Sequence, residues 1–479
     1  MMKTLRSIIL FYVLVFFGFN VSPTVSDCSY PIGAQIQPSY NPGFTVFYQN
    51  TYKIVNNTRT NEVYILYCSA SAPAPNVTGV SSAKYFQVPV KNVATLDIPT
   101  VTFLELMNVY SSIKYVNNTA SITSPCLQKN IENKSIQNFN SSNSNDINVI
   151  FSNPTQSYND NKTVNVNIGD DLTPLQKLEW VKFFSLFYDK EAVVTKTFAS
   201  LQSIYLCNTK NLANISIVNK KTIAWVSYDS NSNQFEVKRD KYHAQLIKDA
   251  GAYSTELSVS TVNINELHSI INNAYIVIDE SQSIASFDAW QRTFGYYPGQ
   301  SDVNIPDFIT YRRVYRVNKH VNFDGYLDWS ESSAARPDLA IQDLIAIQYP
   351  TYQSSYITKW LYIFSNNDSP ILLTSNNCVN PNQTQTIGNC SVINFTGDSS
   401  STNSTVNNGL YGSKKLPPIA EAMIITFSIL AGLAGFAVGA WLVLVIRRKH
   451  QERFIELKDE PEVPEVQMSN VTEPTNTSV

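Results

Sequence analysis

Short apolar runs alternating with helix-periodic stretches set the rhythm of this chain. Val93, Ala94, Thr95 and Leu96 form one such run, closed by Asp97, Ile98 and Pro99, and residues 113–116 and 147–151 form two more. Between the first two, Thr102 and Glu105 stand at the spacing of a capping box, whose hydroxyl and carboxylate satisfy the free amides of a helix's first turn. Strand, helix, strand with short connectors is the βαβ pattern of a parallel sheet covered by helices. Upstream, residues 62–67 alternate as a strand does; residues 133–145 are polar, rich in Asn and Ser, and read as a loop.

The longest periodic stretch begins at Thr173. Thr173 and Gln176 form a second capping box, Pro174 occupies the first helical position, and neither Gly nor Pro interrupts until past Cys207. The pattern predicts one helix over residues 173–208, about 45 Å long at ~1.5 Å per residue. Leu178, Trp180, Val181, Phe183, Phe184, Leu186, Phe187, Val193, Val194, Phe198, Leu201 and Ile204 leave it apolar on several sides, so it must be flanked on several sides. The expected role is a spine running between two lobes.

After the spine the βα rhythm resumes. Residues 222–228 (TIAWVSY) read as a strand, residues 242–250 as a helix stopped by Gly251, and residues 264–272 as another helix. The run AYIVI at 274–278 is a buried strand that ends abruptly in Asp279 and Glu280, and residues 337–347 form a helix closed by Tyr349 and Pro350. About 350 residues between the chain's two apolar ends favour two lobes, because single cores stop growing near ~250–300 residues.

Those two apolar ends change the picture from a globular chain to a membrane protein. Residues 422–446 are apolar throughout and are followed by Arg447, Arg448, Lys449, His450 and Arg453. A run of about 25 residues crosses a ~30 Å hydrocarbon core, and the basic collar puts its C-terminal side in the cytoplasm. Lys3 and Arg6, an apolar stretch from Ser7 to Phe19, and small residues at Thr24 and Ser26 read as a removable signal peptide over residues 1–26. Everything between is then lumenal or extracellular. All six cysteines lie there, as an oxidising compartment favours, and they permit any of fifteen pairings. Sequons crowd the same region at Asn56, Asn76, Asn117, Asn133, Asn140, Asn161, Asn214, Asn367, Asn382, Asn389, Asn394 and Asn403, whereas those at Asn470 and Asn476 fall on the cytoplasmic side. Residues 376–417, rich in Asn, Ser, Thr and Gly, read as a glycosylated stalk in which Cys378 pairs with Cys390 across a short loop. Within the span, Ala431, Gly435 and Gly439 form a ridge of small residues that suits a homodimer. The terminal Thr477, Ser478 and Val479 have the form of a PDZ-domain ligand.

The net charge of −3, with no basic stripe, excludes nucleic acid as a partner. No GxSxG elbow, HExxH helix or Walker loop is present, so no enzyme class is supported. His243 and His268 fall within helices and His320 in a polar stretch, which disfavours a bare Zn or Mn site. Trp225, Trp290 and Trp329 offer flat faces for a ligand, though such residues more often belong to a core. Arg312 and Arg313 offer guanidinium groups to an anion, but as neighbours in an extended stretch they point to opposite faces.

Several motifs, in order, resemble the membrane-anchored eukaryotic relatives of the class III periplasmic-binding-protein fold. They are KNVATLDIPTVTFLELMNVYSSIKYV from Lys91, TPLQKLEWVKFFSLFYDKEA from Thr173, KTIAWVSYD from Lys221, KYHAQLIKDAGA from Lys241, AYIVIDES from Ala274 and GYLDWSESSAARPDLAIQDLIAIQYP from Gly325. The resemblance implies an α/β fold of two Rossmann-like lobes, at residues 27–172 and 209–375, joined by one long helix at 173–208. A single transmembrane helix at 418–446 and a cytoplasmic tail at 447–479 complete the chain. It further implies a ligand cleft between the lobes, at the carboxyl ends of the strands, and limited domain closure. The candidate ligand contacts are Asp97, Thr100, Tyr228, Asp279, Glu280, Arg312 and Trp329. The ligand expected is a small molecule such as an iron chelate or a tetrapyrrole, with no resident cofactor. Unlike the bacterial proteins, this chain carries a span, disulfides and many sequons, and nothing in it indicates delivery to an ABC permease. Two functions follow as expectations. One is non-catalytic ligand capture at a plasma, endosomal or vacuolar membrane; the other is an adhesion or interaction glycoprotein that keeps the fold without the ligand.

Overall fold

A computed structural model describes residues 35–397, apart from 69–73, 81, 157, 159, 256–260, 298–304, 367–368 and 380–386. The signal peptide, the span with Gly435 and Gly439, the tail, and the sequons at Asn367, Asn382 and Asn403 lie outside the described residues. Among the described residues no helix is long and apolar enough to cross a membrane.

The N-terminal part holds two sheets. Phe44–Tyr48, Tyr52–Asn57, Glu62–Cys68 and Lys84–Val88 form the first, antiparallel except for its last pair. The second is wholly parallel, with Gln137–Asn138, Ile113–Val116, Val93–Thr95, Val149–Ser152 and Thr163–Asn165 side by side. In chain order these strands run 3-2-1-4-5, so the sheet winds outward in both directions from Val93–Thr95 and a crevice opens between the first and fourth strands. The two sheets share one apolar core. Phe183 packs edge-on to Phe44 and Tyr64 of the first sheet, while Phe184 packs on Phe151 of the second and on Phe103 of the helix Thr100–Leu106.

The all-round apolarity of residues 174–187 therefore has a different cause from the one expected. That stretch lies between two sheets of the same lobe. Instead of one helix there are three, Pro174–Leu178, Trp180–Leu186 and Glu191–Leu212, and only the last runs on to the second lobe. The capping box of Thr173 and Gln176 is present at the start. The break comes from competition for carbonyls. Leu186 O accepts from the buried ammonium of Lys53 at 2.8 Å and Phe187 O from Val90 N at 2.9 Å, so neither receives the amide that would continue the helix. Asp189 turns the chain through a left-handed conformation, and Lys53 also pairs with Asp189 and Glu191 on either side of the turn. The capping box expected at Thr102 is absent: the helix starts at Thr100, and Thr102 Oγ1 donates to Glu331 O.

The second lobe is a mixed seven-stranded sheet around Thr222–Asp229. That strand runs parallel to Tyr253–Ser254 and Ile276–Asp279, which in turn runs parallel to Val314–Arg316. The parallel strands read 2-1-3-4 in chain order, so a second crevice lies between Thr222–Asp229 and Ile276–Asp279. Helices Lys241–Asp249 and Ile264–Ile271 start with side-chain caps from Asp240 and Asn263. Helices Lys241–Asp249 and Pro337–Gln348 meet the spine, where Tyr205 donates to Asp249 and Asn211 to Tyr352.

The described part of the expected stalk is tied to the body. Cys378 pairs with Cys126 and Cys390 with Cys207, so the expected Cys378–Cys390 bridge is absent and both cysteines tie the C-terminal segment back onto the body. Residues 387–397 lie as a strap on the spine. Asn211 donates to Ser391 O and accepts from Ile393 N, and Phe395 is buried against Tyr349 and Tyr352. A composition rich in Asn and Ser conceals one buried aromatic anchor.

Candidate functional site

Both crevices carry an acid at a strand end. In the first, Asp97 follows Val93–Thr95 and accepts from Thr100 N and Thr100 Oγ1, the latter at 2.8 Å. Burial pushes its carboxyl up to about 6, against the hydrogen bonds from Thr100 and Asn153. Thr100 is wholly buried, so this pair closes the helix start and offers no free group to a ligand.

In the second crevice the acids are held by cations. Asp279 is fully buried; Arg316, two strands' breadth away in sequence but adjacent in register, donates from Nε to Asp279 Oδ2 at 2.8 Å. The same guanidinium reaches Ile284 O and Ser281 O. Burial still raises the Asp279 carboxyl, with Arg316 and Ser281 opposing it. Ser281 Oγ donates to Asp279 Oδ1 and accepts from Tyr228 N, which joins the two strands across the crevice. Glu280 turns the other way. Its Oε2 lies 2.5 Å from Lys238 Nζ, and its Oε1 faces His243 Nε2 at 3.7 Å, too far for a hydrogen bond. Burial works against the Glu280 charge, yet His243 and Lys238 outweigh it and hold the carboxyl well below the usual range. Burial lowers His243 in turn, but Asp240 on Nδ1 at 2.6 Å and Glu280 raise it further.

The lobes meet at the helix Asp328–Ser332. Glu331 reaches across, and its two carboxylate oxygens accept from Thr123 N at 2.6 Å and Ser124 N at 3.0 Å. Asn322 Nδ2 donates to Ala120 O and Ile122 O, and Asn118 donates to Tyr326. Burial, with Glu105 and Asp328 nearby, pushes the Glu331 carboxyl up to about 8. Behind this seam Trp329 packs between Trp225 at 5.6 Å and Trp360 at 5.2 Å.

What remains open beside the seam is a recess of about 190 Å³. Its floor is Asp279, Glu280 and Ser281, and its wall is the segment from Val317 to Leu327 that Asn322 pins to the first lobe. Asn318 lines it and has a buried Oδ1 with no hydrogen-bond partner. At ~30 Å³ per water the space holds roughly six waters.

Of the residues expected to meet a ligand, Asp279 and Glu280 line this recess and Tyr228 supports it through Ser281. Asp97 and Thr100 belong to the other lobe's crevice. Trp329, like Trp225 and Trp290, is core. Arg312 is exposed and lies before the strand Val314–Arg316, at the opposite edge of the sheet from the recess. Arg316 and Asn318, not anticipated, follow four and six residues on; the alternation of Tyr315 and Val317 with Arg316 and Asn318 was the available signal. Among the described residues, Asp170, Asp240 and His243 bring possible metal-ligand atoms within 4.8 Å of one another, but Lys177 already occupies Asp170 at 2.5 Å and His243 binds Asp240. Of the sequons, Asn76, Asn117, Asn133, Asn140, Asn161, Asn214, Asn389 and Asn394 are exposed and Asn56 is half-buried.

No family model matches the chain, and no curated protein matches it in sequence. It is similar to solved structures of periplasmic binding proteins. One from Veillonella parvula DSM 2008 is 8% identical, with a TM-score of 0.42 over 57% of this chain and 89% of that one. The petrobactin-binding protein YclQ from Bacillus subtilis is 12% identical, with a TM-score of 0.40 over 54% and 91%. The periplasmic haem-binding protein HutB of Vibrio cholerae is 9% identical, with a TM-score of 0.40 over 54% and 99%.

Proposed function

We propose that this chain is a type I membrane glycoprotein whose ectodomain captures a small polar ligand without changing it chemically. The observation that carries the reading is the recess itself: it stands at the carboxyl ends of the parallel strands Ile276–Asp279 and Val314–Arg316, and Asn318 brings to it a buried acceptor in need of a donor. Its acids are already paired with Arg316 and Lys238, so the recess favours a neutral or donor-rich ligand over a bare cation. At about 190 Å³ it is smaller than the ~300–1,000 Å³ of drug-sized pockets. An iron chelate or a tetrapyrrole enters only if the wall from Val317 to Leu327 moves. Catalysis is disfavoured because each described histidine is engaged elsewhere, by Asp240, Phe294 O or Lys359 O, and none bonds a Ser or Cys. The membrane is that of the cell surface or of an endosomal or vacuolar lumen.

A thermal-shift series of the full chain in detergent tests this, with free amino acids, small hydroxy acids, ferric citrate, a ferric hydroxamate and haem in order of size. The expected result is stabilisation by a small member, about 2.7 kcal/mol at a hundredfold excess over Kd. Asn318→Leu should abolish it without changing the unliganded melting temperature. Stabilisation by haem alone, equal in Asn318→Leu, contradicts the site.

A second reading, an interaction glycoprotein that binds no small ligand, is favoured by the sealed seam and by the exposed sequon at Asn117. The neighbouring Asn118 touches Tyr326 across the lobes, so a glycan there would stand at the junction. No shift with any compound, together with full stability, supports that reading.

A further inference from the structure

We propose that the amino-terminal edge of the second lobe's sheet rests on the surface of the bilayer that receives the chain's own span. The edge is built from the starts of four parallel strands. Lys221 precedes Thr222–Asp229, Tyr253 opens its neighbour and donates to Lys221 O, Tyr275 donates to Thr222 O, and Arg313 O accepts from Val277 N. These side chains interleave cations with tyrosines. Lys220 lies 5.4 Å from the Tyr253 ring, Lys221 4.3 Å from Tyr275, and the Arg313 guanidinium 3.7 Å from Tyr275 and 4.6 Å from Tyr311. Arg312 adds a further exposed cation. Residues 213–222, 250–254, 272–276 and 311–314 contain no acidic side chain. Beside the row, Ile217 and Val218 stand 75% and 87% exposed, an aliphatic pair that no described residue covers.

Two further facts choose a membrane over a protein as the occupant. The strap ends at this corner: Gly397 approaches Ile215 and Asn219, and Asn219 donates to Thr396 O. The span read from the sequence begins about 25 residues later. The last described residue of the body therefore stands at the same corner as the apolar pair, and the chain leaves for the span from there. Tyrosines mixed with lysine and arginine are the side chains that interfaces favour, with rings at headgroup level and cations toward phosphate. The recess lies at the opposite ends of the same strands and so faces away from the membrane. This inference rests on the membrane-anchored reading.

The test uses the full chain reconstituted into vesicles of phosphatidylcholine with a minor share of phosphatidylglycerol. A fluorophore is placed at Val218→Cys or, as control, at Phe323→Cys, which is 86% exposed beside the recess. Lipid-borne quenchers should dim the label at 218 several-fold more than that at 323, and aqueous iodide should do the reverse. Replacing Lys220, Lys221 and Arg313 by Glu should reverse the lipid quenching at 218 while the chain stays resistant to carbonate extraction. Equal access of iodide to both labels in an extraction-resistant chain overturns the docking and leaves the anchor standing; release by carbonate overturns both. N-glycans are left in place, because Asn214 and Asn394 lie at the same corner, and quenching seen only after their removal also counts against the proposal.

Discussion

The two strand-end crevices face the same chemical problem, a carboxylate at the end of a buried parallel strand, and solve it differently. Asp97 is satisfied chiefly by Thr100, three residues on, with Asn153 from the end of the neighbouring strand, and among the described residues no cation pairs with it. Asp279 is satisfied from another strand, by Arg316, whose guanidinium also ties down Ile284 and Ser281. A local solution fills the first crevice with its own helix start. The long-range one builds a framework around a gap, and the recess is that gap.

The largest effect expected from this contrast is at Arg316. Arg316→Met leaves Asp279 buried and unpaired and should destabilise by about 3–5 kcal/mol, as read by denaturant unfolding. Phe184→Ala should cost a comparable ~3–5 kcal/mol by opening a cavity between the two N-terminal sheets, which would confirm that the core of the first lobe is made there. If Asp279→Asn were as mild as Asp97→Asn, the two crevices would not differ in the way described.

A smaller effect, readable as pH dependence, is expected at the seam. The folded-state pKa of Glu331 stands at about 8 against an ordinary 4.5. Between those values the native state binds more protons than the unfolded chain, so this group's contribution falls as pH rises and is lost above about 8. Glu331→Gln should flatten the melting temperature between those limits relative to the parent. A steeper dependence in the variant would contradict the assignment. Asp97 has the same sign over a narrower window, from 3.8 to about 6. Asp97→Asn keeps an acceptor for Thr100 and should change stability at neutral pH by no more than ~1 kcal/mol. Thr173→Ala, which removes the cap of a partly buried helix start, should cost a similar ~1 kcal/mol.

Much of this architecture was legible because period and end signals are local. The runs at 93–96, 113–116, 222–228 and 274–278 became strands, and the capping box at Thr173 formed. The break after Leu186 was not legible, because its cause is Lys53, more than a hundred residues upstream. The cysteine pairing failed for the same reason: closeness in sequence favoured Cys378 with Cys390, but the strap runs over the body and each finds a partner on it. At the site, the strand ends located Asp279 and Glu280, yet nothing in their own neighbourhood announces Arg316, Lys238 or Asn318. Polar partners converge through topology, and a single sequence does not display topology.

The claim on which the rest depends is that Glu331 staples the lobes, so that ligand selection falls to the recess and not to a wide hinge. Electron-spin distance measurement on the full chain tests it, with labels at Asn145→Cys in the first lobe and Ser230→Cys in the second, both exposed. The account predicts one narrow distance population in the parent and an added longer population in Glu331→Ala, which leaves the amides of Thr123 and Ser124 without their acceptor. Two populations in the parent, or an unchanged single one in Glu331→Ala, would contradict it.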